Sequence, residues 1–126
     1  MQQYLMGREV AEPVSETQWQ NAAQLLFRVC NLLVEVPKEL ILSDTNIVSS
    51  GYRPPLMNKK VGGSPNSAHL VCQAVDIKDP NGQLAAYLAA NQPLLVKHQL
   101  WMEDPAATKT WCHLDTRVRN NRVFKP

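Results

Sequence analysis

The chain has 126 residues and a mass of 14.2 kDa, the common size of one domain and enough for a single hydrophobic core. Its 44% hydrophobic and 19% charged content is ordinary globular composition, with no apolar run of transmembrane length and no charged-then-apolar leader, so a soluble protein made in the cytoplasm without an export signal is expected. A net charge of +2 is too mild to indicate nucleic acid as a partner, and three cysteines cannot close a full disulfide framework and suit a reducing compartment.

Ser15-Glu16-Thr17-Gln18 reads as a capping box, in which the serine hydroxyl satisfies a first-turn amide and the glutamine reaches back. The helix that follows carries Trp19, Ala22, Ala23, Leu26, Val29, Cys30 and Leu33 on one face and ends near Pro37, which places Cys30 in the core and makes the helix scaffold. Ile47 to Ser50 is a short β-prone run closed by Gly51 and Pro54-Pro55, so Tyr52 and Arg53 stand at the end of a strand. Pro54 to Ser67 has Pro, Gly and Asn punctuation without periodicity and reads as a loop beside the site, with Lys59 and Lys60 solvated. Ala74 to Ile77 alternates as a strand. Asp79-Pro80-Asn81-Gly82 is turn chemistry, and Leu84, Ala85, Tyr87, Leu88 and Ala89 indicate a helix that stops before Pro93. His98 stands alone and reads as exposed or structural. Gln99–Glu103 and Thr110–Leu114 flank Asp104-Pro105-Ala106-Ala107 and fit an antiparallel pair. Arg117, Arg119, Arg122 and Lys125 crowd the last ten residues; a solvated tail is the plain reading, contact with anionic wall polymers or phosphates the sharper one. The expected fold is α+β in a single domain, with a helical part (1–46) packed on a small antiparallel sheet that carries the site (47–126).

The chemistry concentrates in His69, Asp76 and His113. Two imidazoles and a carboxylate are the donor set of a catalytic zinc, which keeps three protein ligands and an open fourth position, whereas a structural zinc is closed by four ligands, mostly thiolates. His69 and Asp76 are seven positions apart and on one straight strand would lie roughly 23 Å from each other, so a turn over Leu70–Gln73 must bring them together. On the following strand Ala74 and Asp76 then share one face, Val75 and Ile77 the other. In the last strand Trp111, His113 and Asp115 share a face, which makes Asp115 a candidate to accept a hydrogen bond from a ligand histidine and fix its tautomer. A closed zinc built from His69, Cys72, Cys112 and His113 is disfavoured because Cys112 and His113 are consecutive and point to opposite faces.

Ser49-Ser50-Gly51-Tyr52-Arg53-Pro54, Asn58, Val61-Gly62-Gly63, Asn66-Ser67-Ala68-His69, Ala74-Val75-Asp76 and His113-Leu114-Asp115, in this order, resemble the zinc D-alanyl-D-alanine carboxypeptidases and L-alanyl-D-glutamate endopeptidases, which share a core with the hedgehog signalling domain. The similarity runs from about Ile47 to the C-terminus and is greatest to compact phage and prophage members, including endolysins. It implies zinc held by His69, Asp76 and His113, a substrate-orienting role for Arg53, and a place for Ser67 in the ligand motif that meets the substrate. It also implies Glu103 as catalytic base, since that residue closes the strand before the His113 strand and matches a Glu of the compact relatives; Asp104 is the alternative acid. The implied partner is the peptidoglycan stem peptide, met by a monomer at the cell wall without membrane insertion; which bond is cut stays open. Four positions depart from the pattern. Cys72 replaces the usual glycine, Trp111 stands where some members have histidine, and Ala107 and Thr110 occupy the positions near the last ligand where better-known members carry the glutamate. A metal-binding but catalytically inactive module, as in the hedgehog relatives, and a virion or tail component that binds cell wall are the alternatives.

Overall fold

The computed structural model describes residues 1–8 and 13–126. A single turn, α1 (Gln2–Leu5), precedes the long α2 (Glu16–Val34), which starts where the capping box sets it: Ser15 Oγ accepts from Gln18 N at 3.1 Å and Gln18 Oε1 accepts from Ser15 N at 2.9 Å. The face that α2 buries is Ala22, Leu25, Val29 and Leu32. That is a step around the helix from the expected stripe, and Cys30, expected in the core, is exposed. A residue next to a buried one lies about 100° away on a helix, so the burial of Val29 turns Cys30 outward.

Five strands form one sheet in the order β1-β2-β4-β3-β5: β1 (Val48–Ser50), β2 (Ala74–Lys78), β3 (Trp101–Glu103), β4 (Trp111–Asp115) and β5 (Val123–Phe124). The first four pair antiparallel; β5 joins β3 in parallel. The basic C-terminal segment is therefore docked rather than solvated. Met102 N donates to Arg122 O and Asp104 N to Phe124 O, which occupies the outer edge of β3, while the Arg122 guanidinium lies 4.1 Å from the centre of the Trp101 ring.

The core side of the sheet presents Val75, Ile77, Met102, Cys112 and Leu114 to α2 and to two further helices. Before them, α3 (Pro55–Lys60) forms inside the segment read as a loop; Pro55 in its first turn has its φ already suited to a helix start. α4 (Gln83–Ala90) packs against β4, and α5 (Gln92–Lys97), with Pro93 in its first turn, packs against β3. Asp79 does more than turn the chain: its buried carboxylate accepts from Leu84 N and Ala85 N at 3.0 and 2.9 Å, satisfying free amides at the start of α4.

A 3₁₀ turn over Ala68–Val71 ends at Cys72, whose φ of 59° and ψ of 36° are left-handed. The thiol is fully buried, and burial pushes it up to about 11, so it is inert at neutral pH. A non-glycine residue in this conformation costs roughly 1–2 kcal/mol. Cys72→Gly removes that strain together with buried side-chain contact of similar worth, so a net change within about 1 kcal/mol is expected. Cys72→Ala keeps the strain and empties the sulfur's space, and should be the less stable of the two by about 1 kcal/mol. Urea midpoints of both variants test the order; an alanine variant more stable than the glycine variant refutes backbone strain as the governing term.

Candidate metal centre

The strand registers assemble the centre in one transverse row. Asp76 on β2 pairs with His113 on β4. Trp101 pairs with Asp115 and Met102 with Leu114, so the same register continued by one residue sets Glu103 opposite His113. Ser50 on β1 lies across from Asp76, and Phe124 on β5 across from Glu103. Because alternate residues share a face, the row Ser50, Asp76, His113, Glu103, Phe124 looks away from the core residues Val75, Cys112 and Leu114.

His69 reaches this row from the 3₁₀ turn, whose first amides are capped by Ser67: its Oγ accepts from His69 N at 3.3 Å. His69 Nδ1 is 2.8 Å from Gly51 O and donates to it, so Nε2 is left to face Asp76 Oδ2 at 3.3 Å. Gly51 is required there, since any Cβ would collide with the Tyr4 carbonyl. His113 Nε2 is 2.9 Å from Asp115 Oδ2, and its Nδ1 is 2.8 Å from Asp76 Oδ1. Ligand atoms of His69, Asp76 and His113 all lie within 4.8 Å of one another, and all three residues are buried. Each imidazole thus has one nitrogen anchored on a carbonyl or carboxylate and the other turned to the shared aspartate, the arrangement that fixes ligand histidines in metal sites. Two imidazole nitrogens and one carboxylate fit a catalytic zinc.

A cavity of about 580 Å³ opens over the cluster, and Arg53, Ser67, Glu103, Arg117, Arg119 and Phe124 are among its walls. Glu103 Oε2 stands 3.9 Å from His113 Nδ1, and partial burial raises this carboxyl above its usual range. Asp104, the alternative acid, is absent from the cavity wall and accepts from Ala106 N at 2.9 Å in the β3–β4 turn. The Arg53 guanidinium is half-buried and bonds Asn58 Oδ1 at 3.2 Å and Ser50 Oγ at 3.3 Å. Among the described residues no carboxylate forms an ion pair with it. Gly63 keeps the guanidinium in place, because a Cβ at that position would press on both Asn58 and Arg53.

Neither cysteine near the motifs reaches the cluster. Cys112 points to the Met102 sulfur at 3.7 Å on the core side, and Cys72 is buried, so the closed His/Cys site does not form. His98 pairs with Glu35 at the end of α2 and serves the scaffold. Sequence reasoning missed Arg119 and Phe124 as parts of the site. Their only signals were the four-residue step from Asp115 to Arg119 and the short apolar pair Val123-Phe124.

Burial opposes the His113 imidazolium, but Asp115 and Asp76 at its two nitrogens outweigh that and push its pKa from 6.5 up to about 9. Burial likewise opposes the Asp76 anion, yet hydrogen bonds from His113 and His69 hold its carboxyl well below the usual carboxylate range. In the metal-free protein the raised histidine contributes stability that is complete below about 6.5 and lost as pH rises through about 9. The depressed aspartate acts at the other end, where its contribution is lost as pH falls below about 4. Metal-free protein should therefore melt roughly 5 °C lower at pH 9.5 than at pH 6.5, a fall that stoichiometric zinc should abolish by taking the proton's place. Scanning calorimetry with and without chelator checks this, and a flat profile without metal is inconsistent with the charged His113.

A family profile described as Peptidase M15 matches residues 9–115. Comparison with curated proteins finds no match, and comparison with solved structures finds none. With the donor cluster of His69, Asp76 and His113 lying inside the matched segment, the chain belongs to the peptidase M15 family of zinc metallopeptidases.

Proposed function

We propose that this chain hydrolyses peptidoglycan stem peptides, at the terminal D-Ala-D-Ala bond or at the L-Ala-D-Glu bond, in the manner of a compact endolysin. The observation that carries the reading is the coincidence of the donor cluster with a partly buried carboxylate, Glu103, on the wall of the same cavity. His69, Asp76 and His113 would hold zinc, which would supply Lewis-acid polarisation of a scissile carbonyl and acidification of the attacking water. Glu103 takes the proton of the attacking water and returns it to the leaving amine; its raised pKa suits both steps. Arg53, which pairs with no carboxylate among the described residues, offers a planar guanidinium to the substrate's carboxylate or scissile carbonyl. Ser67, whose oxygen is engaged by His69 N, keeps its hydroxyl proton for the substrate. Asp115 holds Nε2 of His113 so that Nδ1 faces the metal. The protein acts as a monomer at the cell wall, in a phage or prophage setting, without membrane insertion; no helix among the described residues is long and apolar enough to cross a membrane.

A second reading has one observation in its favour. Ala107 and Thr110 occupy the positions near the last ligand where better-known relatives carry the catalytic glutamate, which suits a metal-binding but inactive wall-binding module. Digestion of purified peptidoglycan, followed by mass spectrometry of the released muropeptides, separates the two. Products that lack a terminal D-Ala, or stems opened after L-Ala, support hydrolysis and identify the bond. Intact muropeptides from zinc-loaded protein refute it in favour of the inactive module.

A further inference from the structure

Asp115 is a fully buried carboxylate placed against a ligand histidine, and what holds it there lies in the C-terminal segment. Its Oδ2 accepts from His113 Nε2 at 2.9 Å and from Arg119 Nη2 at 3.0 Å, while Oδ1 has no hydrogen-bond partner. A carboxylate gripped through one oxygen by a single imidazole could turn about its side-chain torsion. The second donor prevents this. Arg119 is held in turn by Phe124, whose ring centre lies 3.7 Å from the guanidinium carbon. The edge-on contact of that ring with His113, at 6.0 Å between centres, closes the circuit. Four groups therefore brace one another in a closed loop: His113, Asp115, Arg119 and Phe124. Arg122, only three residues on, performs a different task, stacking on Trp101 and donating to Leu100 O at 3.1 Å. Neither Arg122 nor Trp101 is part of the cavity wall.

We infer that Arg119 is a positioning residue of the metal centre: clamped on Phe124, it fixes the Asp115 carboxylate against Nε2 of His113 and so aims Nδ1 at the zinc. The inference rests on the zinc reading of the preceding section. Charge and position predict opposite signs for its removal. A guanidinium near a dication repels it, so neutralising Arg119 should tighten zinc if charge alone mattered. Loss of a partner that orients a ligand loosens metal, typically 10- to 100-fold. The buried geometry favours the second effect, because Asp115 is 0% exposed and Arg119 is its only ion-pair partner besides His113 among the described residues.

The test is zinc affinity, measured by competition with a chromophoric chelator on the full chain. Arg119→Met should weaken zinc about 10-fold, and Arg119→Lys, which keeps the charge but not the flat stack, should weaken it less. Arg122→Met, which loosens the same segment away from the centre, should leave affinity within about 2-fold of wild type. A double-mutant cycle supplies the readout that general destabilisation would not move: in an Asp115→Asn background, Arg119→Met should have little further effect, since it acts through that carboxylate. Unchanged or tighter zinc in Arg119→Met, an equal loss in Arg122→Met, or full additivity with Asp115→Asn each overturns the inference while leaving the metal centre standing. Failure of the wild-type chain to bind zinc overturns both. If Arg119→Met does not fold by circular dichroism, the Lys variant and its own cycle with Asp115→Asn decide the matter by the same criteria.

Discussion

His113→Ala is expected to abolish zinc retention and hydrolysis together. The substitution removes one of three donors from a cluster whose ligand atoms lie within 4.8 Å of one another, and two donors do not hold zinc against dilution as three do. It also deprives two buried carboxylates of a partner. Asp76 keeps His69 at 3.3 Å and Asp115 keeps Arg119 at 3.0 Å, so the metal-free fold should survive with a loss of about 1–3 kcal/mol. Metal content after gel filtration should fall below about 0.1 equivalent, with a circular dichroism spectrum like that of wild type. Stoichiometric zinc in this variant would falsify the ligand assignment.

Glu103→Gln is the complementary expectation: full zinc, lost turnover. The amide has the same shape, and Glu103 lies outside the donor cluster, so metal stoichiometry should not change. A positioned acid–base group contributes about 10²–10⁴-fold in rate, and hydrolysis of stem peptides should drop by that factor. Among the described residues no acid outside the His69–Asp76–His113 cluster shares the cavity wall with Glu103, and Asp104 accepts from Ala106 N away from it. Near-normal turnover with bound zinc would remove Glu103 as the base.

The contrast between these variants bears on how much was legible beforehand. The turn between His69 and Asp76 could be read from their spacing, whereas the convergence of His113 on them rested on donor type and on the family resemblance and is seen in the β2–β4 register. The α+β class, the capping box of α2 and the antiparallel β3–β4 pair rested on local chemistry that the structure repeats. The phase of α2 could not be read as well: Leu25 and Cys30 are both apolar, and only the sheet decides which one is covered. α3 was hidden by the punctuation of its surroundings, since Pro55 reads as a breaker but serves as a helix start. β5 was hidden for a different reason. Two residues carry no period, and its pairing partner β3 lies about twenty positions upstream, so the four-residue step from Asp115 to Arg119 and the apolar pair Val123-Phe124 were signals too short to identify the strand or the roles of Arg119 and Phe124.

The transverse row from Ser50 to Phe124 divides labour between the middle of the sheet and its margins. Asp76 and His113 sit on β2 and β4, strands paired on both sides, whereas Ser50, which steadies Arg53, and Phe124 belong to the two outermost strands. Lateral spacing in such a row is set by the backbone ladder at about 4.8 Å per strand, so the metal donors inherit the rigidity of the most protected part of the molecule. The margins reach the centre through their neighbours: Gly51, next to Ser50, anchors His69, and Phe124 braces Arg119. Changes at the two ends should therefore loosen the donor cluster by degrees, whereas a single-residue slip of β4 would turn His113 inward and erase it in one step.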